Sequence, residues 1–115
     1  MDKLRFPIFC KLYKVSSKAR QATLSQTRDG DHLQIVVTDA EVLVYSIPLN
    51  RILGGLREDL ADKLRVFCKN KPCLDGIVDK RTGGNEGKLF GCNIRMYPTA
   101  NMLRGTKAFL HLHGE

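Results

Sequence analysis

No apolar run in this 115-residue chain is long enough to span a bilayer. The opening stretch Met1-Asp2-Lys3-Leu4-Arg5 leads into a segment broken by Pro7, Lys11 and Lys14, so the apolar centre of a secretion signal is missing as well. The expected location is cytoplasmic. The chain has no internal repeat and no low-complexity tract, and its length suits one domain covering residues 1–115. Cysteines are few: Cys10, Cys68, Cys73 and Cys92. The Cys68–Cys73 spacing is wider than a zinc-ribbon knuckle, and no second knuckle or nearby histidine completes a four-ligand set. The expectation is reduced thiols that act as small buried hydrophobes, with no structural metal and no cofactor. Histidines are fewer still. His111 and His113 share a strand face at a spacing suited to metal binding or acid–base chemistry, but His32 stands apart and no third ligand is evident.

Apolar residues make up 43% of the chain, enough for a core and too many for disorder. The formal charge is +7, and it is unevenly spread. Lys3, Arg5, Lys11, Lys14, Lys18, Arg20 and Arg28 dominate the first stretch. Asp29, Asp31, Asp39, Glu41, Glu58, Asp59 and Asp62 make the middle acidic, and from Lys63 onward cations return. Two basic ends that meet in the fold create a positive face, which attracts polyanions by counterion release.

The patterning predicts an α+β domain with an antiparallel β-meander of about four strands, one main helix, then two or three further antiparallel strands. Lys3 to Val15 reads as a long strand with Leu4, Phe6, Ile8, Cys10 and Leu12 on one face, at an edge because of Pro7. Arg20 to Thr27 reads as a more polar strand, followed by an Asp29-Gly30 hairpin turn. Leu33–Thr38 and Glu41–Ile47 form the next hairpin. Leu53, Leu56, Leu60, Leu64 and Phe67 recur at helical spacing, which predicts a helix from Gly54-Gly55 to about Asn70. Strands follow at Leu74–Asp79, Lys88–Tyr97 and Thr106–His113, with a glycine-rich connection over Thr82–Gly87. This ββββα order resembles that of the Whirly and PUR-type single-strand-binding domains, in element order alone.

Strand parity gives the most informative pattern. Arg5, Phe9, Lys11 and Tyr13 oppose the aliphatic face of the first strand, Arg95 and Tyr97 oppose Cys92, Ile94 and Met96, and Lys107 and Phe109 oppose Ala108 and Leu110. A sheet face that mixes cations with flat rings suits single-stranded RNA or DNA, because cations neutralise phosphates and rings stack unpaired bases. Lys80, Arg81 and Lys88, around the glycine-rich loop, would add phosphate contacts. The loop itself fails as a phosphate-binding motif: its spacing before Gly87-Lys88 is short, Leu89 replaces the magnesium-holding Ser or Thr, and a strand follows. The leading expectation is a small basic binding module rather than an enzyme. It would act as a homodimer through its exposed first-strand edge. A second reading is a protein-interaction module, an adaptor or inhibitor from a virus or mobile element, with the same aromatics as interface anchors. A third is a metal-dependent nuclease of the PD-(D/E)xK type, built on Asp75, Glu86 and Lys88.

Overall fold

Alternation of apolar and polar side chains dictates the sheet, and the inward residues of its strands meet in a single core. A computed structural model describes residues 5–68 and 74–99. Their order is β1 (Ile8–Lys11), α1 (Lys18–Ser25), β2 (His32–Val37), β3 (Val42–Ser46), β4 (Arg51–Gly55), α2 (Glu58–Cys68), β5 (Leu74–Thr82) and β6 (Gly91–Pro98). The chain is therefore α+β, with a six-stranded sheet in the order β1-β6-β5-β2-β3-β4 and every neighbouring pair antiparallel.

The sheet curls until its two edges touch. Tyr13, just beyond β1, donates its N–H to the Gly55 carbonyl at 2.9 Å, and Gly55 returns the bond to Tyr13 O at 2.8 Å. This bridge joins the first strand of the sheet to the last and makes the sheet a barrel closed at one point. Gly54 permits the approach. A Cβ there would stand 2.7 Å from the Tyr13 carbonyl oxygen and 2.9 Å from Val15 Cγ1. Inside, Leu12, Leu33, Ile35, Val44, Leu74, Ile94 and Met96 are all buried and form one cluster.

A helix stops each end of the barrel. At the end where β6 begins, α1 buries Leu24 and Thr23, and Gln21 ties it down. Gln21 Nε2 donates to the carbonyls of Val15 and Phe90, while its Oε1 accepts from Phe90 N. At the other end α2 buries Ala61, Leu64 and Cys68, and Phe67 meets Phe6 with ring centroids 5.2 Å apart. Arg65 Nε donates to the Thr38 carbonyl and fixes α2 against the β2–β3 hairpin. Glu58 and Asp59 in its first turn and Arg65 in its last suit the helix dipole.

Several expectations are corrected. The strand expected at Arg20–Thr27 is α1. Ser17 caps it by accepting from Arg20 N, and Ala19, Arg20, Gln21 and Ala22 are better helix formers than strand formers. The four-strand opening meander is reduced to β2-β3-β4, because β1 leaves for the opposite edge to pair with β6. The order becomes βαβββαββ, so the likeness in element order to Whirly and PUR-type domains does not hold. Gly54 and Gly55 end a strand rather than open the helix, and Leu53 faces the core from β4. Asp29-Gly30 joins α1 to β2 instead of closing a hairpin. Cys68 is disulfide-bonded, against the expectation of reduced thiols, whereas Cys10 and Cys92 are free. The expected strand at Thr106–His113 lies outside the described residues.

Two outcomes follow from the packing. Gly54→Ala forces the β1 tail away from β4 and should cost about 1–3 kcal/mol, the range for overpacking, read as a lower urea midpoint. An unchanged midpoint contradicts close approach at the bridge. Burial pushes the Cys10 thiol up to about 11 and Cys92 up to about 12. Both should therefore label with a thiol reagent on the order of 100-fold more slowly in the native protein than in urea, since the thiolate is the reactive form. Rapid native labelling of either residue, located by mass spectrometry, contradicts this.

Candidate functional site

Successive residues of an antiparallel strand turn their backbone groups to opposite sides. Leu12 donates to the Cys92 carbonyl on β6 at 2.8 Å, whereas Tyr13 bonds to Gly55 on the other side. Lys11 and Phe9 therefore share the direction of Tyr13, away from β6. Their side chains lie on the exterior of the barrel, with Phe9 64% and Tyr13 39% exposed. Phe9 pairs across the strands with Arg95, and Lys11 with Asn93. Tyr97 follows two residues after Arg95 on the same face. Phe9, Lys11, Tyr13, Arg95 and Tyr97 thus come together on the outer surface of β1 and β6, as their parity predicts.

Carboxylates also reach this surface. Asp79 occupies a bulge between Val78 and Lys80, and its Oδ1 stands 3.2 Å from Arg95 Nε without hydrogen-bond alignment. Arg95 Nη1 donates to the Tyr97 hydroxyl at 3.2 Å. The half-buried guanidinium is thereby fixed between a ring and a carboxylate, with part of its charge offset. Asp75 lies opposite Tyr97, and burial holds its carboxyl above the usual range, offset in part by His32. The bulge at Asp79 shifts the alternation by one residue, so that Val78 packs inward yet Lys80, two positions on, is exposed.

The loop contacts divide. Lys80 and Lys88 are exposed, as is Arg5. Arg81 is instead a clamp: its N–H donates to Asp29 Oδ1, its Nη1 donates to the carbonyls of Ser25 and Thr27, and its guanidinium lies 5.1 Å from the Phe90 ring centroid. It holds α1 to the hairpin instead of reaching outward. Lys107, Phe109, His111 and His113 lie outside the described residues. The nuclease set does not converge. Asp75 is the second residue of β5 and Glu86 lies past its far end. Asp75 and Thr82 are seven residue steps apart along β5, about 23 Å at the usual rise, too far for one ion.

Sequence reasoning missed the groove beside the face. Between β1 and the first turns of α2 runs a groove of ≈ 360 Å³ lined by Phe9, Lys11, Tyr13, Arg57, Leu60 and Lys63, together with Asp59. Arg57 Nε and Nη2 donate to the two carboxylate oxygens of Asp59 at 2.6 and 2.7 Å, which holds Asp59 below its ordinary range. Lys11 and Lys63 have no carboxylate partner among the described residues. The helical pattern marks Arg57 and Lys63 only as solvent-facing, and their position beside β1 depends on how α2 seats. No family model matches the chain, and no curated protein or solved structure is significantly similar to it.

Proposed function

We propose that the protein is a binding module for single-stranded nucleic acid, which it engages through the outer face of β1 and β6. The observation that carries the reading is the Phe9 ring, 64% exposed and paired across the strands with Arg95, with Lys11 on the same face. An exposed ring among cations gives a base a surface to stack on and its phosphates a counter-charge. Tyr13 and Tyr97 extend the stacking surface along each strand. Lys80, Lys88 and Arg5 supply charge around it, and the formal charge of +7 favours a polyanion over a neutral partner. Every base has an aromatic face, so the reading implies weak sequence preference. Asp75 and Asp79 act against affinity and set a ceiling on it.

Fluorescence anisotropy with labelled oligo-deoxythymidine and oligouridine, over a salt series, tests the reading. Affinity should fall linearly with salt on logarithmic axes. Phe9→Ala and Tyr13→Ala should each weaken binding by about 5- to 100-fold, since a stacked base is worth about 1–3 kcal/mol. Asp79→Asn should tighten binding by removing a carboxylate from the face. Salt-independent binding, or an affinity indifferent to both aromatic substitutions, overturns the reading.

A further inference from the structure

The backbone of β1 carries information that its side chains do not. Leu12 bonds to β6 and Tyr13 bonds to Gly55. The N–H and C=O groups of Phe9 and Lys11 point the same way as those of Tyr13, yet among the described residues β1 has β6 as its sole strand partner over Ile8–Lys11. Two donors and two acceptors therefore line an open strand edge, and the groove between β1 and α2 lies directly beside it. We propose that this edge docks an acidic polypeptide segment in extended conformation, added to the sheet as a further strand.

The chemistry of the edge selects the class of partner. A phosphate backbone offers only acceptors and would meet the Phe9 and Lys11 carbonyls with like charge, whereas an extended polypeptide alternates donors and acceptors to match both. The groove selects the charge. Among the described residues Lys11 and Lys63 have no carboxylate partner, and the single carboxylate in the lining, Asp59, is already engaged by Arg57. One face of the incoming strand would place acids against these lysines, and the other, one residue along, apolar side chains against Leu60. A second copy of β1 fits less well, because it brings another Lys11 to the same edge and like charges on paired strands repel. This site uses backbone groups in the plane of the sheet, unlike the stacking face, although Phe9, Lys11 and Tyr13 border both.

The probe is a fluorescein-labelled hexapeptide alternating glutamate and valine, titrated against the full chain by anisotropy. It should bind, and a lysine–valine version should bind at least about tenfold more weakly. N-methylation of alternate residues on the edge-facing side should cost about another tenfold, as expected for losing two net hydrogen bonds. This arm needs no protein variant and so is independent of folding. In the protein, Lys11→Pro should weaken binding beyond Lys11→Ala, because both lose the charge and only proline loses the outward N–H. Equal binding of the methylated peptide overturns the proposal, as does equal binding of the basic one. Concentration-dependent dimers in sedimentation that the acidic peptide fails to dissociate assign the edge to a second copy and also overturn it. Loss of oligonucleotide binding alone, with peptide binding intact, counts against the nucleic-acid reading and not against this one.

Discussion

The backbone bridge between Tyr13 and Gly55 is the contact on which the arrangement turns. A six-stranded antiparallel sheet left open has two free edges and a strong tendency to pair with other chains. Here the edges converge, and closure at a single residue pair fixes the rotation of β1 about its own axis. That rotation sends Leu12 inward, Phe9, Lys11 and Tyr13 outward, and the backbone of Phe9 and Lys11 toward α2. Closure is also incomplete. Among the described residues one pair is bonded across the seam, while β1 over Ile8–Lys11 and β4 before Gly55 each keep a single strand partner.

The outer face and the edge place different demands on a ligand. On the face, cations and rings stand beside Asp75 and Asp79, and Arg95 is already committed to Asp79 and Tyr97. A ligand there must gain from stacking, because the electrostatic attraction is divided. At the edge, Lys11 and Lys63 lack carboxylate partners and the outward backbone groups lack strand partners among the described residues, so charge and hydrogen bonding act together. Exposed ion pairs contribute little on their own. The value of Lys11 and Lys63 lies in selecting the sign of what approaches. The helices set this geometry from outside the sheet: α2 forms the far wall of the groove, and α1, held by Gln21 and Arg81, closes the opposite end of the barrel.

Much of the sheet was legible because alternation is a local signal. The β2–β3 hairpin, β5, β6 and the parity of β1 all follow from apolar residues spaced by two, and the face that joins Phe9 to Arg95 and Tyr97 follows from parity once β1 and β6 are neighbours. The helix face Leu60, Leu64 and Phe67 was equally plain. What failed was non-local or weakly patterned. α1 buries only Thr23 and Leu24, so it has almost no apolar stripe, and its sequence signal is the Ser17 cap and a run of good helix formers. Leu53 fits the helical spacing by coincidence, since the segment that holds it pairs with β3 as a strand and ends at the Gly55 bridge to Tyr13. The role of Arg81 was unreadable for the same reason: nothing near it in the chain indicates Ser25, Thr27 or Phe90. The groove depends on how α2 seats against β1, which no local pattern encodes.

Residue-resolved amide hydrogen exchange across β1 tests the central geometry most directly. The amides of Cys10, Leu12 and Tyr13 should be protected, the first two by β6 and the third by Gly55, while those of Phe9 and Lys11 exchange rapidly between them. Uniform protection from Phe9 to Tyr13, or an unprotected Tyr13, would contradict a barrel closed at a single bridge with an open edge before it.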